Sequence, residues 1–476
     1  MKAQSLRKKY PKFVYQGYSY RISNTPRTRT NSVRGKNLEI LFDFRTEPNI
    51  NFKPKVVIKN VDKSKIERVG ERALNNLVFN LGLMEIPSYW KATCSPEIII
   101  KAGHLNSEQI KWWKDIFLQG MGQFFYENKI NFKKSNFLTI KSTELGAEKI
   151  RANSAMAELA RKDKILVAVG GGKDSAVTLE ILKKAKKKIN CFSLNPTEAA
   201  NKIMKIAGCR EPIIARRKID GELLKLNRRG FLNGHTPFSA YLAFLSILVA
   251  TIFENKYVVF SNERSSNEGN VDYLGKVINH QWSKSFDFEK KFRKYAKKYL
   301  SKDAEYFSFL RPLYEIQIVR LFSKYPKYFP AFLSCNEAHK TASGTKKPTK
   351  KWCGQCSKCL FVFICLYPFI KERKLLKIFG KNLFENKKLI PVMQELIGEK
   401  RFKPFECVGT KKESLAAFYL SWEKNKERPS AKFLYLLRYF EEKILPKYPN
   451  LKKGTKKILS SWNKQHNLPK EFKVIF

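Results

Sequence analysis

A run of glycines followed by a lysine, an aspartate and a serine has the clearest chemistry in this chain. The loop comprises Gly170, Gly171, Gly172, Lys173, Asp174 and Ser175. Glycines between a strand and a helix let the backbone approach an anion, and the N–H groups at a helix start favour negative charge. The segment therefore predicts a phosphate site. Lys173 would add positive charge, Ser175 would offer a hydroxyl, and Asp174 would hold Mg²⁺ directly or through water.

The loop does not have the pattern of a Walker A motif. That motif needs glycine at the position of Val167 and serine or threonine at the position of Asp174. A dinucleotide fingerprint also fits poorly, because Ser175 replaces its last small residue. A glycine-rich turn without a ligand is the structural alternative for this segment.

Four cysteines have a spacing typical of a structural metal site. They are Cys335, Cys353, Cys356 and Cys359. Four thiolates suit a closed tetrahedral Zn²⁺ site, which stabilises a fold but leaves no open position for catalysis. An iron–sulfur cluster and unliganded structural cysteines are the alternatives. A metal in a reducing compartment also fits the odd total of 9 cysteines better than a set of disulfides.

Three polar segments, at 233–237, 261–270 and 279–285, carry candidate acid, base and charge-neutralising groups. The candidates are His235, Glu263, Arg264, His280 and Lys284. The middle segment directly follows a predicted strand, and ligands of parallel α/β sheets sit beyond the carboxyl ends of strands. We therefore expect these groups to face the same crevice as the glycine loop. Solvated loops are the alternative.

The candidates divide by the chemistry that their side chains support. Arg264 and Lys284 are predicted to neutralise a carboxylate or phosphate, with a surface ion pair as the alternative. The histidines, Glu263 and Lys284 are candidates for proton transfer, and Asp174 and Lys173 are also expected to take part in catalysis. Cys407 is a further candidate, because a thiol can act as an acid–base partner at carbon. A buried apolar filler is the alternative for Cys407.

The elements that must position these groups alternate between strand and helix. Strands are predicted at 165–169, 189–194 and 257–260, and helices at 173–187 and 238–253. This alternation predicts an α/β fold with a parallel sheet. We expect three domains. They are an N-terminal α+β domain at 1–155, the α/β core with the cysteine site at 156–375, and a helical domain at 376–476.

Composition narrows the function classes. The chain has 476 residues, with 93 lysines and arginines against 42 aspartates and glutamates, and a formal net charge of +51. Basic blocks at 183–188 and 216–218 could bind nucleic acid, but lysine predominates over arginine along the whole chain, which favours a solvated surface. The apolar stretch at 240–253 is too short to cross a bilayer and predicts a buried helix. Because the N-terminus also lacks an apolar signal segment, we expect a cytoplasmic protein.

The glycine loop resembles the PP-loop of the ATP pyrophosphatase superfamily. That motif, Ser-Gly-Gly-x-Asp-Ser, matches from Gly171 through Ser175, with Gly170 in place of its first serine. The resemblance implies an adenine nucleotide α-hydrolase-like core that binds ATP and Mg²⁺, with Asn195 among the nucleotide-binding residues. It also implies that pyrophosphate leaves and that AMP is transferred to a substrate oxygen. The cysteine segment is similar to the zinc-binding tail of the deazaguanine nitrile synthases, another PP-loop family.

Further motifs together resemble the UDP-N-acetyl-α-D-muramoyl-L-alanyl-L-glutamate epimerase family of peptidoglycan synthesis. They are Asn-Gly-His-x-Pro at 233–237, Ser-Asn-Glu-Arg-Ser-x-Asn-Glu-Gly-Asn at 261–270, Asn-His-Gln-Trp-Ser-Lys-Ser at 279–285 and Lys-Pro-Phe-Glu-Cys-Val-Gly at 403–409. The resemblance implies a UDP-MurNAc-dipeptide substrate, whose terminal L-Glu is inverted to D-Glu with release of AMP and pyrophosphate.

Adenylation explains why such an epimerase would use ATP. The Cα–H beside a free carboxylate is a very weak acid, whereas an acyl-AMP has a neutralised carboxyl group and a carbonyl that accepts electrons. One base can then remove the proton and an acid can return it from the opposite face. Two alternatives remain, namely a PP-loop enzyme that modifies tRNA by thiolation or amine transfer, and a non-enzymatic polyanion-binding module. The sequence does not predict the oligomeric state.

Overall fold

The computed structural model describes residues 2–24, 35–142, 155–157, 163–339, 351–400, 402–426 and 434–475. The strands are β1 (Lys12–Asn24), β2 (Lys36–Thr46), β3 (Ile50–Phe52), β4 (Lys55–Lys59), β5 (Glu97–Ile100), β6 (Thr139–Ser142), β7 (Ile165–Ala168), β8 (Ile189–Leu194), β9 (Ile213–Lys218), β10 (Tyr257–Phe260), β11 (Val271–Tyr273), β12 (Lys276–Ile278) and β13 (Glu305–Ser308).

Helices precede, separate and follow these strands. Those before β10 are α1 (Ala3–Lys9), α2 (Lys63–Val69), α3 (Glu71–Trp90), α4 (Ser107–Gly120), α5 (Gly122–Glu127), α6 (Lys173–Lys184), α7 (Glu198–Ala207), α8 (Gly221–Arg228) and α9 (Phe238–Ile252). Those after it are α10 (Phe286–Tyr299), α11 (Glu315–Phe322), α12 (Asn336–His339), α13 (Ser357–Leu366), α14 (Glu372–Phe379), α15 (Ile390–Ile397), α16 (Lys411–Asn425), α17 (Tyr435–Tyr439), α18 (Leu451–Ser460) and α19 (Lys470–Lys473).

One mixed sheet extends through most of the described strands. Its order is β13-β10-β7-β8-β9-β4-β2-β1-β5-β6, with β3 paired to β2. The block from β13 to β9 is parallel, and β9 then pairs with β4 in antiparallel orientation. The predicted α/β fold with a parallel core is therefore confirmed. The predicted domain boundaries stay predictions, since the sheet continues from the second predicted domain into the first and the 155/156 boundary adjoins residues outside the described ranges.

Both faces of the parallel block are covered, as strands with apolar residues on both faces require. On β7, Leu166 belongs to a core shared with α3 and α9, whereas Ile165 and Val167 belong to a core shared with α11, α13 and α16. Helix α9 is buried along most of its length, which confirms the buried helix predicted at 240–253. Among the helices of the described ranges, none combines the length and hydropathy that a membrane crossing requires.

The strand order places the glycine loop at a reversal of chain direction across the sheet. The chain passes from β7 to β8 and β9 on one side, and then returns to β10 and β13 on the other side of β7. Loops at such a reversal border a crevice beyond the carboxyl ends of the strands. The glycine loop follows β7 and the polar segment at 261–270 follows β10, so the fold brings the two segments to the same edge of the sheet.

Candidate active site

The glycine loop has a backbone that requires glycine at Gly171. This residue has a φ of +92°, and a Cβ on it would lie 2.6 Å from the backbone nitrogen of Ala200. The Gly171 carbonyl accepts a hydrogen bond of 3.0 Å from the Leu333 N–H. Gly172 is the N-cap of α6, and the first N–H groups of a helix have no partner inside it. The loop therefore has the backbone geometry of an anion site.

Lys173 is buried in a network of charged groups. Its Nζ lies 2.5 Å from Asp174 Oδ1 and 2.9 Å from Glu315 Oε1. Lys358 Nζ contacts the same Glu315 oxygen at 2.8 Å. Burial alone would raise the pKa of Glu315, but the two ammonium groups hold that pKa well below its usual range. Lys173 therefore orients Asp174, whose side chain keeps 29% of its surface exposed.

Two predicted nucleotide-binding side chains, Ser175 and Asn195, hold backbone groups in this structure. Ser175 Oγ donates to the Gly172 carbonyl at 3.0 Å. The Asn195 amide donates to the Arg217 carbonyl at 2.9 Å and accepts from the Arg217 N–H at 3.0 Å. Asn195 lies directly after β8, beside the end of β7, so its position borders the crevice even though its amide stabilises a turn.

Four of the predicted proton-transfer and charge-neutralising groups meet in a cluster. Lys284 Nζ lies 3.1 Å from Cys407 Sγ, and Cys407 Sγ lies 3.8 Å from His280 Nε2. The His280 and His235 rings have centroids 4.5 Å apart. Burial disfavours the charged form of Lys284, but Cys407 and Glu263 together raise its pKa above the ordinary value. The cluster therefore pairs a persistent ammonium group with a thiol.

The two histidines of the cluster are neutral at neutral pH. Burial, together with nearby Lys284, lowers the pKa of His280 to about 4, although Glu127 opposes the shift. Burial, His280 and Lys91 hold the pKa of His235 well below its ordinary value. Each imidazole therefore carries one N–H and one lone pair, and can donate at one nitrogen while it accepts at the other.

Glu263 lies within electrostatic range of Lys284 and of Lys173 and Asp174 in the glycine loop. Its side chain is buried, and desolvation raises its pKa to about 7, with Glu315 and Asp174 adding to the shift and Lys284 opposing it. A carboxyl group with a pKa near neutrality can both take and give a proton. Glu263 therefore has the electrostatic environment expected of an acid–base group.

The Arg311 side chain holds the two segments that carry Glu263 and Lys284. Arg311 lies outside every motif found in the sequence. The Arg311 side chain is fully buried and paired with Glu289 at 3.1 Å. It donates to the backbone carbonyl oxygens of Glu263 and Lys284. A guanidinium group has several donors in a rigid fork, so one side chain determines the spacing of two candidate residues.

Arg264 points to different surroundings from those of its neighbour Glu263. Its guanidinium carbon lies 4.3 Å from the centroid of the Tyr314 ring. Arg264 and Tyr314 line a surface cavity together with Lys412 and Tyr448. The structure therefore places Arg264 beside a basic and aromatic cavity, while His235, His280 and Lys284 meet near Cys407.

The described N-terminal residues complete the site by holding the histidine loops. Gln123 Oε1, on α5, lies 2.5 Å from His280 Nδ1. Asn128 donates to the Asn233 carbonyl at 3.0 Å, and Lys91 donates to the Gly234 carbonyl at 3.0 Å. Sequence reasoning missed these residues because they lie outside every motif and more than a hundred positions from their partners.

The four predicted metal ligands lie close together and form a cysteine cluster. The Sγ atoms of Cys335 and Cys356 are 3.9 Å apart, those of Cys353 and Cys359 are 3.6 Å apart, and all four lie within 4.8 Å of one another. A tetrahedron with Zn–S bonds of about 2.3 Å has its sulfurs about 3.8 Å apart. The cluster can therefore bind a metal such as zinc.

The cysteine cluster is joined to both halves of the candidate site. Ser334, beside Cys335, follows Leu333, whose N–H bonds to Gly171. Lys358, between Cys356 and Cys359, donates its backbone N–H to Glu406 Oε2 at 2.6 Å and its ammonium group to Glu315. Glu406 immediately precedes Cys407, so a metal at the cluster would fix the positions of the glycine loop and the candidate thiol together.

Two findings bear on the charge and cysteine expectations. Arg217, within the basic block at 216–218, has a side chain that is 9% exposed and pairs with Glu85 at 2.5 Å, so its guanidinium group neutralises a buried carboxylate. Cys191 and Cys209 form a disulfide, with Cα atoms 6.1 Å apart. This pair departs from the expectation of a metal rather than disulfides, which rested on the Cys353-x-x-Cys356-x-x-Cys359 run and not on these two residues.

Comparison with known proteins shows that this chain is similar to an epimerase family along most of its length, and not only in the motifs. Residues 23–309 match the MurL N-terminal domain, and residues 331–446 match the MurL C-terminal domain. The UDP-N-acetyl-alpha-D-muramoyl-L-alanyl-L-glutamate epimerase of Xanthomonas oryzae is 34% identical over 331 residues, which cover 69% of this chain and 71% of the relative. An epimerase of the same name from Salinispora tropica is 32% identical, over 71% of each chain. No solved structure matches the chain. The predicted resemblance is thus confirmed, and the chain belongs to the MurL epimerase family.

Proposed function

We propose that the protein inverts the terminal L-Glu of UDP-MurNAc-L-Ala-L-Glu to D-Glu by way of an acyl-adenylate, with release of AMP and pyrophosphate, in peptidoglycan precursor synthesis. The observation that carries this proposal is the contact between Lys284 and Cys407, together with the electrostatic interaction of Lys284 and Glu263 with Asp174 of the glycine loop. Acid–base groups suited to carbon chemistry therefore lie within electrostatic range of a loop suited to phosphate. The names of the relatives supply the substrate.

The glycine loop holds ATP in this account. Backbone N–H groups at Gly171, Gly172 and the start of α6 bind the phosphates. Asp174, oriented by Lys173 and partly exposed, would hold Mg²⁺, which would neutralise phosphate charge. The glutamyl carboxylate oxygen attacks the α-phosphorus, an oxygen–phosphorus bond forms, and the bond to the departing pyrophosphate breaks.

Inversion takes place at the Cα next to the activated carbonyl. Cys407 contacts Lys284, and Glu263 interacts with Lys284 electrostatically; we assign Cys407 and Glu263 to opposite faces of that carbon. One takes the Cα proton, and the electron pair moves to the carbonyl oxygen, where the Lys284 ammonium group stabilises the negative charge. The other returns a proton from the opposite side. Water then cleaves the anhydride, which releases AMP and the free carboxylate.

Cys335, Cys353, Cys356 and Cys359 would hold a zinc ion with a structural role. Four thiolate ligands would leave no position on the metal for a substrate. The cysteine segment itself holds Lys358 against Glu315, and Glu406 against the Lys358 backbone. A metal at the cluster would therefore support the geometry of the site.

The test is turnover in D₂O with ATP, Mg²⁺ and UDP-MurNAc-L-Ala-L-Glu. We expect AMP together with D-Glu that carries deuterium at Cα. Asp174→Asn should abolish both products, whereas Asp272→Asn, at an exposed position of β11, should leave both intact. Folded, zinc-loaded protein that makes neither AMP nor D-Glu would reject the proposal, and tRNA would become the next substrate to test.

A further inference from the structure

A chain of four side chains leads from helix α5 to the candidate base Cys407. Gln123 Nε2 donates to Glu127 Oε1 at 2.7 Å, and Gln123 Oε1 lies 2.5 Å from His280 Nδ1. His280 Nε2, on the far side of the ring, lies 3.8 Å from Cys407 Sγ. Gln123 is 9% exposed, so water competes little for these contacts.

The direction of each hydrogen bond in this chain follows from the chemistry of its first member. A carboxylate offers only acceptors, so the Gln123 amide nitrogen must face Glu127 and its oxygen must face His280. The oxygen can only accept, so His280 Nδ1 must carry the proton. Because burial keeps His280 neutral, with a pKa of about 4, its single N–H is used at Nδ1. The lone pair of Nε2 therefore points at Cys407.

We propose that Gln123 is a positioning residue for proton transfer at Cys407, because it fixes the tautomer of His280 whose Nε2 accepts a hydrogen bond from the thiol. The effect of this tautomer on proton transfer rests on the proposed function. In the opposite tautomer, Nε2–H would donate to the sulfur, which already accepts from Lys284 at 3.1 Å. A thiolate with two donors is a weaker base toward the substrate Cα–H.

Backbone contacts support a fixed His280 rather than a mobile one. The His280 N–H donates to Asn270 Oδ1 at 2.8 Å, and Asn270 in turn donates to the Pro404 carbonyl at 2.7 Å, three residues before Cys407. The backbone segments that carry the imidazole and the thiol are thus held by one polar side chain. With these segments held, the tautomer of His280 depends on the contact of its Nδ1 with Gln123.

The direct test is nitrogen NMR of the full-length, zinc-loaded chain labelled with ¹⁵N-histidine, with His280→Gln used to assign the signals. We expect a pyridine-like, unprotonated Nε2 at His280, and a pyrrole-like, protonated Nε2 in Gln123→Leu. A protonated Nε2 in the unmodified chain, or an unchanged signal in Gln123→Leu, would overturn the proposal. This measurement needs no turnover, so its outcome is independent of the proposed reaction.

The kinetic test separates activation from inversion. Gln123→Leu should form AMP at the normal rate but exchange the Cα proton at least about tenfold more slowly, whereas Gln119→Leu, on the neighbouring helix α4, should change neither rate. The double variant Gln123→Glu, Glu127→Gln keeps an acceptor against Nδ1 and should restore exchange. Unchanged exchange in Gln123→Leu, an equal loss of AMP formation and exchange, or failure of the double variant to restore exchange would contradict a positioning role.

Discussion

Lys284 Nζ lies 3.1 Å from Cys407 Sγ, although 123 positions separate the two residues. The contact joins the polar segment that follows β12 to the loop that precedes α16. Arg311 fixes the first of these segments through the Lys284 carbonyl, and Glu406 fixes the second through the Lys358 N–H. A partly buried ammonium group beside a thiol is suited to a carbon acid–base step.

Cys407→Ser should separate carboxylate activation from inversion. A hydroxyl is a far weaker acid than a thiol, so the Cα proton exchange rate should fall by about 10² or more, while AMP formation continues. The measurement is AMP release and deuterium incorporation in the same reaction. Cys94→Ser is the control, because the Cys94 sulfur contacts Arg7, and it should retain both. Normal exchange in Cys407→Ser would remove Cys407 from the mechanism.

Glu263→Gln should change how protein stability depends on pH. The raised pKa of about 7 means that the folded chain binds this proton more tightly than the unfolded chain does. The stability that this proton provides is therefore full below pH 4.5 and is lost as the pH rises through 7. A shift from 4.5 to about 7 corresponds to about 3 kcal/mol at most. Denaturant unfolding at pH 5 and pH 8 should show a smaller loss in Glu263→Gln than in the unmodified chain, and parallel losses would contradict the assignment.

Gly171→Ala should weaken ATP binding. The residue has a φ of +92°, and the added Cβ would lie 2.6 Å from the Ala200 nitrogen. Strain of about 1–3 kcal/mol should displace the loop and weaken ATP binding by about tenfold or more. At Gly170 a Cβ meets nothing within 4 Å, so Gly170→Ala should weaken binding less. Equal ATP affinities for the two variants, measured by calorimetry, would argue against an anion site at Gly171.

Cys356→Ser should remove the metal and lower the thermal midpoint. A structural zinc ion contributes its binding free energy to folding, and its loss would also release Lys358 from Glu315. Metal analysis should give one zinc per chain in the unmodified protein and in Cys407→Ser, and much less in Cys356→Ser. A cluster that holds iron, or no metal, would contradict the zinc assignment.

The two most local features of the site were predictable from the sequence. The glycine loop and the Cys353-x-x-Cys356-x-x-Cys359 run have their chemistry within a few consecutive residues. The α/β core was also predictable from the sequence, because buried strands and amphipathic helices alternate along the chain.

The partners that tune the site were not predictable in the same way. Lys173 looked like a phosphate ligand, but its pairing with Glu315 depends on where α11 packs. Gln123 and Arg311 lie in segments with no motif, and their roles appear only when distant loops meet. Cys407, Lys284 and His280 were each predicted as candidates from the sequence. Their contacts with one another could not be predicted, because they depend on how the fold brings distant loops together.

The most direct test of the account is to follow the oxygen atoms of the activated carboxylate. Substrate with ¹⁸O in the α-carboxylate of its terminal L-Glu is converted in unlabelled water with ATP and Mg²⁺, and the AMP is analysed by mass spectrometry. An acyl-adenylate cleaved by water at the carbonyl carbon predicts one ¹⁸O atom in each AMP. Inversion accompanied by AMP that contains no ¹⁸O would contradict the account.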